Sequence, residues 1–321
     1  MLKLRHLFDN RALAETLAAE WVPDPEPFPW YRISSNAIYV FLRGGEPHFL
    51  RFAPQAEKDP QSVAAELAFI AYLRDRGFGA PEAISSRSGE QMVVSETEWG
   101  PFVATAFRRV PGQQLGRTGL ADEIVAAHGR ALAELHTLSR DYAPPGTQRW
   151  SHVEALDWMA PWFETDAARA EAKLVAGALA ALPRDADAYG LCHYDLECDN
   201  VFFDAASGRC HAIDFDDAMY HWFAMDIEQA VASVREEIDP ERADAGEAAF
   251  LAGYASARPL PPDLDRARGI CRRFADLYWY ARVRRSLAET FADEPYWMVD
   301  LRSRLAEGLA EREARFGAPN G

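Results

Sequence analysis

Leu13, Leu17 and Trp21 recur at helical spacing, so the chain is expected to open on a helix that starts near Asp9 or Asn10. The proline-rich stretch 23–29 ends it. The pattern then shifts to short β-type runs at Tyr31–Ile33, Ala37–Leu42 and His48–Phe52, with Arg43-Gly44-Gly45 reading as a hairpin turn between the last two. Ala65, Leu67, Ile70 and Leu73 restore helical spacing over 61–76, closed by Gly77 and Gly79. Strands at Gln91–Ser95 and Val103–Val110 complete a β-β-β-α-β-β unit of about 110 residues. After Pro111-Gly112 the periodicity is mostly helical: 120–140, a Trp-rich stretch at 150–165, 171–182, 224–237, 240–256, 263–288 and 297–315. One short hairpin at 200–214 interrupts it, and Asp239-Pro240 supplies an N-cap and first helical position. The expected class is α+β and bilobal. A small antiparallel-sheet lobe with one main helix occupies 1–110, and a larger, mostly helical lobe occupies 111–321.

Composition narrows the partners. The 321 residues are 49% hydrophobic and 26% charged, as in ordinary globular proteins, and no apolar run approaches the ~18 residues of a membrane span. Arg5, Asp9, Arg11 and Glu15 fall where a signal peptide needs an apolar block, so a cytoplasmic protein with no membrane partner is expected. A formal charge of −16 argues against nucleic-acid binding and is compatible with a cationic acceptor. Cys192, Cys198, Cys210 and Cys271 form no C-x2-C pair, so reduced, buried thiols are expected rather than a zinc site. Monomer and homodimer both remain open.

The chemistry concentrates in two segments, Leu191–Asp204 and His211–Ala218. Folding the chain as a hairpin about Ser207 sets Asn200 opposite Asp214, roughly 5 Å apart across the ladder. Two oxygen donors side by side at an open end suit Mg²⁺, which takes few protein oxygens and completes its shell with water and phosphate. Asp195 enters this hairpin five residues before Asn200, where a carboxylate can accept or orient a substrate hydroxyl. The spacing matches the D-L-x-x-x-N of kinase catalytic loops, here Asp195-Leu196. Singly, Asp195 reads as a turn cap and Asn200 as a strand-entry residue. In this order, after a lobe boundary, the three read together as a phosphoryl-transfer site.

These segments resemble the H-x-D-x-x-x-x-N and I-D-F-x-x-A motifs of the aminoglycoside phosphotransferase and choline kinase-like superfamily. The resemblance runs from about Ser34 to the C-terminal helices. It implies a protein-kinase-like fold and transfer of a γ-phosphoryl group from ATP or GTP, with Mg²⁺, to a hydroxyl. It also implies that Asp195 is the catalytic aspartate, that Asn200 and Asp214 hold Mg²⁺, and that His193 is structural. Asp226, in Met225-Asp226-Ile227, resembles the aspartate that braces the catalytic loop. Tyr194 stands where the family usually has Gly and would narrow the site. In the small lobe the resemblance implies that Ser35, in Ser34-Ser35-Asn36, lies at the turn covering the phosphates, without a Gly-rich loop. Arg51 takes the place of the phosphate-gripping lysine with Glu66 as its ion-pair partner, and backbone groups of Arg108 and Val110 meet adenine. An Arg there keeps the charge but adds a fork.

For most other candidates the plain reading is structural. His136, in Leu135-His136, reads as a satisfied core histidine, and ordinary surface charges are the lesser reading of Arg51 and Glu66. Tyr220, Trp222, Trp279 and Tyr280 are candidate acceptor-lining aromatics, though aromatics at helical spacing mostly pack cores. Asp217, Glu228, Glu236 and Glu237 could meet a cationic acceptor, while the three glutamates also read as a solvated helix face. The favoured function is an ATP- and Mg²⁺-dependent kinase acting on a small amine-bearing or sugar-like hydroxyl compound. One alternative is a non-catalytic nucleotide-binding protein on the same fold, which the divergent small lobe favours. The other is a protein Ser/Thr kinase, against which the short span from Ala218 to Asp226 and the missing A-P-E count.

Overall fold

The computed structural model describes residues 11–23, 30–33, 36–292 and 294–318. The chain divides into two compact units. One runs to Pro111 and includes Ala143–Gln148, and the other comprises Gly112–Tyr142 and the chain from Arg149 onward. Among the described residues no helix is long and apolar enough to cross a membrane.

In the first unit, helix α1 (Arg11–Ala18) precedes a five-stranded antiparallel sheet. The strands are β1 (Trp30–Ile33), β2 (Ala37–Arg43), β3 (Glu46–Pro54), β4 (Met92–Thr97) and β5 (Gly100–Arg108), in the spatial order β1-β2-β3-β5-β4. Alternation puts Ala37, Tyr39 and Phe41 of β2 and Leu50 and Phe52 of β3 into one apolar cluster. Leu13, Leu17 and Trp21 cover that cluster, so the opening helix is held by the sheet, and its start at residues 9–10 lies outside the described residues. Gly44 and Gly45 both adopt positive φ between the paired Arg43 and Glu46, the two-residue turn whose twist suits a β-hairpin. Helix α2 (Pro60–Asp75) starts on Asp59, whose side chain accepts from the Ser62 N–H at 3.3 Å, with Pro60 in the first turn.

The second unit is helical, with two small sheets set into it. Its helices are α3 (Asp122–Arg140), α4 (His152–Met159), α5 (Asp166–Ala180), α6 (Ala224–Glu237), α7 (Ala243–Ala255), α8 (Leu264–Ala288) and α9 (Tyr296–Glu313). The strands are β6 (Gln113–Gln114), β7 (Tyr189–Cys192), β8 (Val201–Asp204), β9 (Arg209–Ala212) and β10 (Met219–Trp222). They pair as β6-β8-β9 and β10-β7, and the sequence pattern anticipates only the β8–β9 hairpin. The other three strands have two to four residues, too short for alternation to register. Helices α3 and α7 approach at two glycines. A Cβ on Gly129 would come within 2.0 Å of the Phe250 carbonyl oxygen, and one on Gly253 within 2.0 Å of the Ala126 oxygen. That closeness lets the Tyr254 hydroxyl of α7 reach His136 Nδ1 of α3 at 2.9 Å.

Candidate active site

The loop between β7 and β8 is tied down at each residue. Asp226, fully buried on α6, accepts from the backbone N–H of His193 at 2.8 Å and of Tyr194 at 2.7 Å. His136 Nε2 lies 3.1 Å from the same carboxylate, and the Tyr254 hydroxyl at its Nδ1 completes the tautomer. Burial lowers the His136 pKa, against the opposing pull of the Asp226 carboxylate. Burial also opposes the charge on Asp226, yet the hydrogen bonds it accepts outweigh that and hold its pKa below the usual carboxylate range. Cys192 lies within 4.8 Å of this His–Asp pair. With Asp226 committed to three donors and the thiol pushed well up by burial, the trio reads as a brace and not a metal centre.

His193 links the loop to the hairpin. Its Nε2 lies 2.9 Å from the Ile213 carbonyl, and its Nδ1 accepts from the Asp195 N–H at 3.2 Å. The Asn200 amide Nδ2 donates both to the Asp195 carbonyl and to Asp195 Oδ2, each at 2.9 Å. Asp195 and Asn200 therefore form one hydrogen-bonded unit, five residues apart in sequence. Burial, then the charges of Asp217, Glu197, Asp214 and Asp199, push the Asp195 carboxyl up to about 8.

The hairpin register differs from the expected one. Val201 pairs with Ala212 and Asp204 with Arg209, and the Ile213 N–H donates to the Asn200 carbonyl at 2.9 Å. Asn200 thus faces Ile213, and Asp214 lies one residue beyond its expected partner. The turn centres on Ala206–Ser207 because Gly208, at φ 66°, donates its N–H to the Asp204 carbonyl and closes a four-residue loop. Asp214 leaves the ladder in a left-handed conformation, φ 63° and ψ 63°, which breaks the strand alternation that would otherwise govern its side chain. Tyr194 is left-handed too, at φ 69°, a conformation that costs a non-glycine residue about 1–2 kcal/mol.

In the first unit, Arg51 and Glu66 form a bidentate pair, Nη1–Oε1 2.8 Å and Nη2–Oε2 2.7 Å, with both side chains buried. They are not surface charges. The Arg51 guanidinium also lies 5.1 Å from the Phe107 ring centre. The Arg108 N–H donates to the Glu82 carbonyl at 2.8 Å, so an adenine contact by Arg108 would use its carbonyl. Val110 is buried. Ser35 lies outside the described residues.

Of the candidate acceptor residues, Asp217 lies near Asp195 of the loop and is paired with Arg282 at 2.6 Å. Glu228 is buried and accepts from Arg268 at 2.8 Å and Arg272 at 2.6 Å, so it belongs to an ion-pair network within the helices. Trp279 packs under the Arg312 guanidinium of α9, and Tyr280 is buried with its hydroxyl 3.1 Å from Glu313. Trp222 is core, its Nε1 donating to the Pro183 carbonyl at 2.7 Å, and Tyr220 lies in β10 with its N–H donated to the Trp150 carbonyl. The face of α8 turned to the loop is the neighbouring stripe of Tyr278 and Arg282, one helical turn apart. Tyr278 packs 5.3 Å from Tyr194, and Arg282 pairs with Asp217. Arg149, also absent from the sequence-level candidates, donates to the carbonyls of Asp216 and of Ala218, the latter at 2.7 Å. A spacing count from Phe274 would have found the α8 stripe, but nothing local marks Arg149.

Comparison with known proteins agrees with this architecture. A family model described as the phosphotransferase enzyme family matches residues 32–260. Amicoumacin kinase of Bacillus subtilis is 23% identical over 231 residues, covering 70% of this chain and 68% of that protein. Homoserine kinase of Methylobacterium radiotolerans is 30% identical over 270 residues and 78% of each chain. A solved amicoumacin kinase, in complex with AMP-PNP, Ca²⁺ and Ami, superposes with a TM-score of 0.80 at 19% identity over 98% of this chain and 96% of that one. That likeness carries the kinase-like α+β fold. The family match spans well over half of the chain, so the chain belongs to the phosphotransferase enzyme family and is a kinase.

Proposed function

We propose that this kinase transfers the γ-phosphoryl group of ATP, with Mg²⁺, to a hydroxyl of a small, amine-bearing acceptor. The observation that carries the reading is the Asp195–Asn200 unit, where a carboxylate and an amide are locked together on a loop braced by Asp226. The oxygen donors of Asn200 and Asp214 fit a small hard cation, since the Asn200 nitrogen already serves Asp195 and its Oδ1 is the remaining donor. When bound, such an ion neutralises charge on the phosphate oxygens. Asp195 takes the acceptor's hydroxyl proton as that oxygen bonds to the γ-phosphorus. The bond from phosphorus to the β–γ bridging oxygen breaks, and ADP leaves. His193 and Asp226 hold the loop backbone, so the carboxylate needs no reorganisation when substrate arrives.

In the first unit, Glu66 holds the Arg51 fork to grip the α- and β-phosphates. The Arg108 carbonyl and the Val110 N–H are assigned to adenine. The relatives are named for kinase activity on amicoumacin and on homoserine, and the −16 charge of the chain favours an acceptor carrying an amine. The test is Mg²⁺-dependent ATP turnover against a panel of amino alcohols, sugars and aminoglycosides. Turnover should appear with at least one class and fall by about 10²–10⁴ in Asp195→Ala. No Mg²⁺-dependent nucleotide binding, or unchanged turnover in that variant, overturns the reading.

A further inference from the structure

A row of aromatic rings in the second unit has no part in the phosphoryl-transfer chemistry. It begins at Tyr194, immediately before Asp195, and passes to Tyr278 at 5.3 Å, Trp158 at 5.7 Å and Trp150 at 6.4 Å between ring centres. Exposure rises along it from 4% at Tyr194 to 48% at Trp150. Tyr194 lies in the core cluster beside Phe274, and Tyr278 and Trp158 pack against that cluster, but the row continues outward to Trp150, an indole open to solvent.

Two observations bear on what the row could meet. The Tyr194 hydroxyl is buried and has no hydrogen-bond partner among the described residues, although a buried phenol ordinarily finds one. It belongs to the residue next to the proposed base, held by a strained backbone at φ 69°. The charges along the row form the second observation. Arg282 lies 5.5 Å from the Tyr278 ring centre and is paired with Asp217, and Arg285 lies 6.0 Å from the Trp158 ring centre. A polycation brought along this wall would meet guanidinium groups and a carboxylate already matched. A flat unsaturated ring would meet indole faces and guanidinium planes, both of which favour stacking.

We propose that this row is the acceptor subsite, and that the acceptor carries a planar unsaturated ring several bonds from its reacting hydroxyl. The ring lies against Trp158 and Trp150, and the hydroxyl reaches Asp195 beside the Tyr194 phenol. The acceptor is then an aryl-bearing amino alcohol and not a polycationic sugar. This inference rests on the phosphotransfer reading above.

The experiment compares 3-amino-1-propanol, its N-naphthylmethyl derivative and kanamycin as acceptors for the full chain with ATP and Mg²⁺. The naphthyl compound should exceed its parent at least tenfold in kcat/KM, mainly through KM. That ratio should fall towards one in Trp158→Ala and in the more exposed Trp150→Ala, and be partly restored in Trp158→Phe. Equal turnover of the two amino alcohols, or preference for kanamycin, overturns the inference while leaving the phosphotransfer reading intact. Quenching of tryptophan fluorescence by the naphthyl compound, in the presence of AMP-PNP, reads ring binding without transfer. Saturable quenching that is weakened at least tenfold in Trp150→Ala, with no transfer to any acceptor, supports the subsite and counts against phosphotransfer. Absence of such quenching overturns the subsite.

Discussion

Two charged centres in this molecule are built on opposite principles. Arg51 and Glu66 meet fork to fork inside the first unit, each cancelling the other's charge at 2.7–2.8 Å. The loop around Asp195 gathers like charges instead, with Asp217, Glu197, Asp214 and Asp199 all pushing its carboxyl up. The first centre is internally balanced and stabilises the placement of a cation. The second holds carboxylates together against their repulsion, and the backbone bonds to Asp226 keep it in shape. A rigid, balanced pair suits a residue that only grips. A repelling cluster suits a place where positive charge and a transferable proton have to arrive together.

The largest expected effect comes from removing the charge at the centre of the repelling cluster. Asp195→Asn should cost about 10²–10⁴ in kcat because the proton acceptor is gone. The same change should raise Tm in a chelating buffer at pH 8, since four neighbouring carboxylates lose an opponent. A fall in Tm there, by calorimetry, would break the contrast between the two centres. Next is Glu66→Ala, which leaves Arg51 buried without its fork partner and should destabilise the fold by about 3–5 kcal/mol in urea titration, with a raised KM for nucleotide. A loss below about 1 kcal/mol would rank the pair with exposed ion pairs.

Per residue and per pH unit, the smallest effect is in acid. Burial lowers His128 and His221 from the ordinary 6.5 to about 3, and His152 to about 4. The unfolded chain takes up these protons near pH 6.5 while the fold refuses them, so stability falls as pH drops below that value. Each histidine contributes up to about 1.4 kcal/mol per pH unit until its folded pKa is approached. All three belong to the second unit, so hydrogen exchange there should lose protection on acidification. His221→Asn should reduce the slope by one proton. An unchanged slope would mean that the ring is protonated inside the fold.

Much of this was legible because the signals are local. The Gly44-Gly45 hairpin, the long helices and the order Asp195, Asn200, Asp214 all sit within short windows of sequence. The hairpin register was off by one because an ideal two-strand count ignores where a glycine closes its loop. The α8 aromatics singled out from the sequence stand one helical step from the residues that meet the loop. Trp279 and Tyr280 face α9, while Tyr278 and Arg282 face the loop, and rotation about a helix axis is set by whatever packs on it.

By itself the sequence determined the class of fold, the run of oxygen-bearing residues from Asp195 to Asp214 and the candidate partner for Arg51, since each depends on residue type and short spacing. The tertiary structure decided which carboxylates remain with the loop that carries Asp195 and which, like Glu228, are neutralised by arginines from another helix. It also decided the aromatic row from Tyr194 to Trp150, whose members come from a loop, two helix faces and a helix entry up to 128 residues apart. Such neighbours are made by packing, which no local window of sequence records.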